Sequence, residues 1–201
     1  MKLDPFYLIV DNADWIERCA PLGIKLVQLR IKNKDTELIR HHIKRAKNIC
    51  DQFGAQFIVN DYWEIAIDEK CDFIHLGQED LSNADIPAIR KNGIKFGLST
   101  HDEYELDIAL SFCPEYIALG PIYPTILKKM KWPPQGLEKI KQWKKLIGPL
   151  PLVGIGGLTP ERAINVLQVG ANSAAAITDI ILHKKPKERV QQWIKVTQKW
   201  R

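Results

Sequence analysis

Residues 56–80 read QFIVNDYWEIAIDEKCDFIHLGQED, and the fold class follows from how this stretch is parsed. Two short apolar runs, Phe57–Val59 and Phe73–Leu76, are built from β-branched, aromatic and aliphatic residues and end abruptly in polar groups. The first delivers Asn60 and Asp61. The second passes through Gly77 to Gln78, Glu79 and Asp80. Near-continuous apolar runs of this kind are the pattern of parallel strands buried on both faces. If two such strands are neighbours, Asp61 and Asp80 emerge at the same end of the sheet. Two carboxylates with an amide beside them suit a hard cation such as Mg2+ that bridges to substrate phosphates. The plain alternative makes Asn-Asp and Gln-Glu-Asp turn and helix-cap residues. On this stretch alone the plain alternative stands first; the rest of the chain reverses that order.

Strand-like and helix-like runs alternate outward from it in both directions. Towards the N-terminus lie strands at Phe6–Val10 and Lys25–Arg30, a short helix over Asp14–Ala20, and a long one over Asp35–Phe53. In the long helix Leu38, Ile39, Ile43, Ala46, Ile49 and Cys50 recur at helical spacing. Towards the C-terminus strands at Lys95–Leu98, Tyr116–Leu119, Leu150–Ile155 and Ser173–Ile177 alternate with helices. Those helices cover Ala84–Lys91, Tyr104–Ser111, Leu137–Ile147, the segment from Thr159-Pro160 to Gly170, and about Lys187–Trp200. Eight βα units thus follow one another without a linker. They predict an α/β fold, an eight-stranded parallel (β/α)8 TIM barrel, as one domain over 1–201. An open doubly wound sheet would call for a glycine fingerprint near the first βα turn, and Val10-Asp11-Asn12-Ala13 contains no glycine.

Composition narrows the function classes. The 201 residues are 45% hydrophobic and 26% charged, ordinary for a soluble globular protein. The net charge of +5 is compatible with phosphorylated ligands but too small and too dispersed for nucleic acid. The lysines around 128–145 lack interleaved stacking aromatics apart from Trp132 and Trp143. No run of about eighteen apolar residues is present, so no membrane span is expected, and the first residues show no signal-peptide pattern. Cys19, Cys50, Cys71 and Cys113 are scattered without metal or redox spacing, which points to a reduced, cytoplasmic setting. Nothing here decides against a homo-oligomer.

In a TIM barrel the active residues sit where the strands end. The second strand is the clearest case. Leu26, Gln28, Arg30 and Lys32 alternate with Val27, Leu29 and Ile31. Helices cover the outer face, so the apolar set belongs there and Gln28, Arg30 and Lys32 point into the mouth. Arg and Lys together suit an oligophosphate. The fifth strand ends in Ser99-Thr100-His101, where Ser99 either donates to a phosphate oxygen or, like Thr100, caps the next helix. His75, inside a strand, reads as a satisfied core histidine, and His101 as an ordinary loop histidine. The long loop from Gly120 to Gln135 is a candidate lid carrying Thr125, Lys128 and Lys129, stiffened on its far side by Trp132 and Pro133-Pro134. Gly154-Ile155-Gly156-Gly157 and Ile177-Thr178 fall where such barrels place their phosphate cradle.

Several of these pieces together resemble the thiamine phosphate synthases. They are VQLRIK at 27–32, FIVND at 57–61, IHLGQED at 74–80, LST at 98–100 with His101, LGPIYPT at 119–125 with Lys128, PQGL at 134–137 and VGIGGLTPE at 153–161. The resemblance implies an Mg2+-dependent transferase of thiamine biosynthesis. It joins hydroxymethylpyrimidine diphosphate to thiazole phosphate and releases diphosphate. By motif position Gln28, Arg30, Lys32, Asn60, Ser99 and Lys128 would hold the pyrimidine diphosphate. Arg30, Lys32 and Lys128 would act on the departing group. Asp61 and Asp80 would hold the metal. Thr125, Ile126, Leu127, Gly157, Ile177 and Thr178 would hold the thiazole phosphate. The family loop usually continues as threonine, any residue, threonine, lysine, whereas this chain has Thr125, Ile126, Leu127, Lys128 and so lacks one hydroxyl. Thr178 stands where the family often has serine.

Two other readings share the barrel. A thiazole tautomerase of the same fold is implied by the resemblance to lack the Asn-Asp and Gln-Glu-Asp elements and to carry a histidine near the GPIYPT position. Here the acids are present and Pro121 follows Gly120. A non-catalytic phosphate-sensing barrel would need the cradle but not the acids.

Overall fold

The computed structural model describes residues 2–32, 35–125 and 131–201. Its first half contains β1 (Phe6–Val10), α1 (Ala13–Cys19), β2 (Leu26–Leu29), α2 (Thr36–Phe53), β3 (Gln56–Asn60), α3 (Trp63–Asp68), β4 (Phe73–Leu76), α4 (Gln78–Leu81) and α5 (Ile86–Lys91). The second half contains β5 (Lys95–Thr100), α6 (Glu103–Ser111), β6 (Tyr116–Leu119), α7 (Gly136–Ile147), β7 (Leu152–Ile155), α8 (Pro160–Gln168), β8 (Ser173–Ala176), α9 (Thr178–Ile181) and α10 (Pro186–Thr197). The eight strands form a closed barrel in sequence order. β8 pairs parallel to β1, with Phe6 opposite Ala174.

Short polar side chains start many of the helices, because the first N–H groups of a helix have no partner within it. Asn12 caps α1, Asp35 caps α2, Asp85 caps α5, Asp102 caps α6, and Thr159 caps α8 with Pro160 behind it. α2 stops at Gly54, whose φ of 61° is the left-handed conformation glycine accepts.

The expected order of elements holds, with local differences. α4 and α9 have four residues each, too few to display a period, and neither was expected from the sequence pattern. β5 runs on to Thr100. β7 begins at Leu152: Pro151 has no N–H to give a ladder, although its carbonyl accepts from Ile117 at 3.0 Å.

The strands alternate between two packed layers. Phe6, Leu8, Val10, Val27, Leu29, Ile74 and Leu76 face outward into the helices. Tyr7, Leu26, Ile58, Phe73, Tyr116, Val153 and Ala175 fill the barrel interior. Each Val, Leu, Ile or Phe side chain among them, fully buried, contributes about 1.5–3 kcal/mol. Tyr116 fits only because β5 carries Gly97 opposite it: a Cβ at Gly97 would stand 2.2 Å from the Tyr116 ring. The same two-residue period that puts Leu26, Ile58 and Phe73 inside puts Gln28, Asn60 and His75 above them, towards the C-terminal mouth.

Candidate active site

The strand ends of β2 to β5 collect polar side chains at this mouth. Gln28 is 2% exposed, and its Nε2 donates to Tyr7 Oη at 2.7 Å. Asn60 is 4% exposed, and its Nδ2 is the buried side-chain donor left without a partner among the described residues. An unmade hydrogen bond of this kind costs about 1–3 kcal/mol. An acceptor on a bound molecule would satisfy it.

Asp61 follows directly with a φ of 67°, a left-handed conformation unusual outside glycine. It costs about 1–2 kcal/mol, and flanking hydrogen bonds hold it. Asp61 N–H donates to the His75 carbonyl at 2.9 Å, and Trp63 N–H donates to the Asp61 carbonyl at 2.7 Å. The turn places the Asp61 carboxylate 2.7 Å from Lys32 Nζ, in a pair whose lysine is 56% exposed and whose aspartate is 12% exposed. Asp80 comes from the first turn of α4. Gly77 leaves room for it, since a Cβ there would lie 3.1 Å from Asp80 Oδ2. Burial, then the negative charge of Asp61 and a hydrogen bond with it, hold the Asp80 carboxyl above the usual carboxylate range. Asp61 and Asp80 therefore do meet at one end of the sheet, as their placement after neighbouring strands predicts.

Ser99 does not cap a helix. Asp102 does that, accepting from Glu105 N–H at 2.9 Å. Thr100 is not a cap either; it is buried on the outer face, donating to the Ala118 carbonyl and accepting from the Trp143 indole. Ser99 Oγ lies 2.8 Å from His75 Nε2, and Gln78 Nε2 donates to the Ser99 carbonyl at 2.7 Å. His75 Nδ1 lies 2.7 Å from Tyr116 Oη. Burial pushes the His75 imidazole down to about 4; the Asp61 charge opposes this and the Arg30 charge adds to it. His75 is thus the satisfied core histidine its strand position suggests. Arg30 is partly buried just past β2, with its N–H on the Val10 carbonyl at 2.7 Å.

The other side of the mouth, from β6 to β8, is built differently. The loop after β6 is zipped to the loop after β7 by Ile122 N–H on the Ile155 carbonyl at 2.8 Å and Tyr123 N–H on the Gly156 carbonyl at 3.1 Å. A Cβ at Gly156 would meet Pro121 Cα at 2.7 Å, and one at Gly157, where φ is 63°, would meet the Pro124 carbonyl oxygen at 2.2 Å. Only glycine fits at 157. Arg162 Nη1 donates to the Gly157 carbonyl at 2.6 Å, and its guanidinium lies 4.6 Å from the centre of the Tyr123 ring. Sequence reading missed Arg162; its position one turn into α8 is the only signal, and many helices carry an arginine there. Ile177 is partly buried against the interior cluster, and Thr178 opens α9, whose first N–H groups have no partner within the helix. Thr125 is partly buried at the edge of the described loop. Ile126, Leu127, Lys128 and Lys129 lie outside the described residues. On the loop's far side Trp132 stacks on His101 with ring centres 4.1 Å apart and donates to Asp102. His101 itself is hydrogen-bonded through Nδ1 to the Glu105 carboxylate at 2.7 Å.

Residues 6–180 match the family model described as thiamine monophosphate synthase. The chain belongs to the thiamine monophosphate synthase family. It is 59% identical to the thiamine-phosphate synthase of Rhizobium etli over 201 residues, all of this chain and 98% of that one. It is 42% identical over 174 residues to the thiamine-phosphate synthase of an Enterobacter species, covering 87% of this chain and 82% of the relative. The fold superposes with a TM-score of 0.86 on thiamine phosphate pyrophosphorylase from Pyrococcus furiosus, over 98% of this chain and 96% of that one at 22% identity. Like its relatives, this synthase-family chain is a transferase of thiamine synthesis acting on phosphorylated small molecules. Neither the tautomerase nor the phosphate-sensing reading gains support from these relatives. No described helix is long and apolar enough to cross a membrane. All four cysteines are free thiols, and burial pushes Cys19, Cys50 and Cys71 up, away from reactivity.

Proposed function

We propose that the two halves of the mouth divide the two substrates between them, with Mg2+ on the β3–β4 side. Gln28, Arg30, Lys32, Asn60, Ser99 and Lys128 hold hydroxymethylpyrimidine diphosphate. Thr125, Ile126, Leu127, Gly157, Ile177 and Thr178 surround the thiazole phosphate, there mainly through backbone amides. The observation that carries the reading is the buried, partnerless Asn60 Nδ2 beside the facing carboxylates of Asp61 and Asp80.

Among the described residues no cluster of three or more His, Cys, Asp or Glu side chains is disposed around a metal position. Two carboxylates suffice for Mg2+, which keeps waters and takes its other ligands from substrate phosphates. The donor set fits: two mutually repelling carboxylates share one lysine, Lys32, so positive charge is in short supply. Mg2+ bound by Asp61 and Asp80 would supply charge neutralisation for the diphosphate. The protein's own groups supply the rest. Diphosphate departs from the pyrimidine methylene, whose ring nitrogens and amino group spread the positive charge left behind. The thiazole nitrogen, already nucleophilic, then forms the new C–N bond. No general base is called for, in accord with a neutral, fully bonded His75. Arg30, Lys32 and Lys128 would neutralise the charge that develops on the leaving group, and the glycine cradle would hold the second ring in line.

The test is incubation with both substrates and Mg2+, with detection of thiamine phosphate and diphosphate. Product only when all three are present is the expected result. Full turnover with a chelator present removes the metal assignment. Binding of both substrates with no product under any condition returns the chain to the phosphate-sensing class.

A further inference from the structure

Five side chains from five strands form one hydrogen-bonded line across the barrel interior. Gln28 Nε2 donates to Tyr7 Oη at 2.7 Å. Tyr7 Oη is 3.0 Å from Tyr116 Oη, Tyr116 Oη is 2.7 Å from His75 Nδ1, and His75 Nε2 is 2.8 Å from Ser99 Oγ. Tyr7 and Tyr116 are 1% and 0% exposed, so their hydroxyls are shielded from bulk water. We infer that this line is a one-way relay of donors that fixes Ser99 as a hydrogen-bond donor to the diphosphate, with Tyr7, Tyr116 and His75 as positioning residues.

The sense of the line follows from counting protons. An amide nitrogen can only donate, so Tyr7 Oη accepts from Gln28 and spends its single hydrogen on Tyr116. Tyr116 then spends its own on His75 Nδ1. A ring nitrogen that accepts carries no hydrogen, so the neutral imidazole is protonated at Nε2 and donates to Ser99 Oγ. The Ser99 hydrogen is left with no use inside the barrel, and it turns to the mouth. The opposite sense, with the Gln28 amide oxygen towards Tyr7, would reverse every donor. Ser99 would then give its hydrogen to His75 and present only lone pairs to an anion. A hydroxyl facing a diphosphate is useful only in the first sense. The packing also supports a built device: Gly97 leaves the space that Tyr116 occupies, and Tyr116 stacks on both Phe73 and His75.

This inference rests on the diphosphate half of the proposed function, but its first test needs no turnover. In protein labelled with 15N-histidine, His75 is assigned by the signal lost in His75→Gln. The expected spectrum of the native chain shows Nδ1 in the unprotonated range and Nε2 in the protonated range. Protonation at Nδ1 overturns the relay, whether or not the chain makes thiamine phosphate. The second test is a double-mutant cycle between Tyr116→Phe and Ser99→Ala. Tyr116→Phe keeps the ring and removes one hydrogen bond. It is expected to raise KM for the pyrimidine diphosphate about three- to tenfold, leaving KM for thiazole phosphate unchanged. In the Ser99→Ala background it should add nothing. A Tyr116→Phe effect of equal size with and without Ser99 makes Tyr116 a packing residue only, and overturns the relay while leaving the synthase reading intact. If Tyr116→Phe does not fold, the tautomer of the native chain decides the matter.

Discussion

The two sides of the barrel mouth differ in what they are made of. From β2 to β5 the polar groups at the strand ends are side chains: Gln28, Arg30, Lys32, Asn60, Asp61, Asp80 and Ser99. From β6 to β8 they are backbone, brought close by Gly156 and Gly157 and braced by Arg162. The first side should be sensitive to the loss of a functional group and indifferent to small changes of shape. The second should be sensitive to an added atom and indifferent to the loss of a side chain. This is the pattern expected when one ligand brings charge that must be neutralised and the other is held by a cradle of amides.

The largest test falls on the first side. Asp61→Asn and Asp80→Asn each keep size and remove charge, and each is expected to lower kcat about a hundredfold or more. High Mg2+ should recover part of the loss. Asn tolerates the left-handed turn at 61, so the denaturation midpoint should hardly move. Native turnover of either variant at limiting Mg2+ would take that carboxylate out of the metal set. Next comes the loop. Lys128→Ala is expected to depress kcat by about a hundredfold, as loss of an electrostatic donor to the leaving group, whereas Lys129→Ala should do little. Small and equal effects would make both lysines part of a solvated face.

The second side is tested by adding rather than removing. Gly157→Ala forces a Cβ towards the Pro124 carbonyl. Its left-handed conformation alone is expected to cost at least about 1 kcal/mol in urea denaturation. KM for thiazole phosphate should rise while KM for the pyrimidine diphosphate stays put. If both constants move together, the division of the mouth is wrong. The smallest effect belongs to Leu127→Thr. It restores the family hydroxyl and adds at most one charge-assisted hydrogen bond, about 1.5–3 kcal/mol at best. The expected outcome is a lower KM for thiazole phosphate with kcat nearly unchanged, because the gain is uniform binding. A native chain without turnover, rescued by Leu127→Thr, would mean that the cradle cannot hold its ligand by backbone alone.

Much of the first side is legible in the order of residues alone. The alternation in LVQLRIK sets the phase of β2, and a strand buried on both faces has no wet surface except at its end. Asn60, Asp61 and Asp80 follow apolar runs directly, so their location needs only the parallel order of the strands. The second side is harder to read. A GxGG motif shows that glycine is present but not which atom approaches it, and Arg162 is one arginine among many on helix surfaces. Ser99 and Thr100 are ambiguous for a similar reason. They are adjacent hydroxyls of equal capping ability, and only because β5 runs on through Thr100 does the strand's alternation send one to His75 and the other to Trp143.

The amino-acid sequence by itself determined the eightfold alternation, the closure that follows from it, and the end of the barrel at which the acids and bases gather. These depend on period and order along the chain, which are local properties. Tertiary structure alone decided the left-handed turn at Asp61, the pairing of Lys32 with Asp61, the pinch at Gly157 and the line from Gln28 to Ser99. Each of these depends on residues far apart in sequence being brought together. Tyr7 and Tyr116 are separated by 109 positions, and no periodicity in either strand records that their hydroxyls meet. They meet because closing the barrel folds eight inward faces into one volume, where a buried hydroxyl must find a partner on another strand.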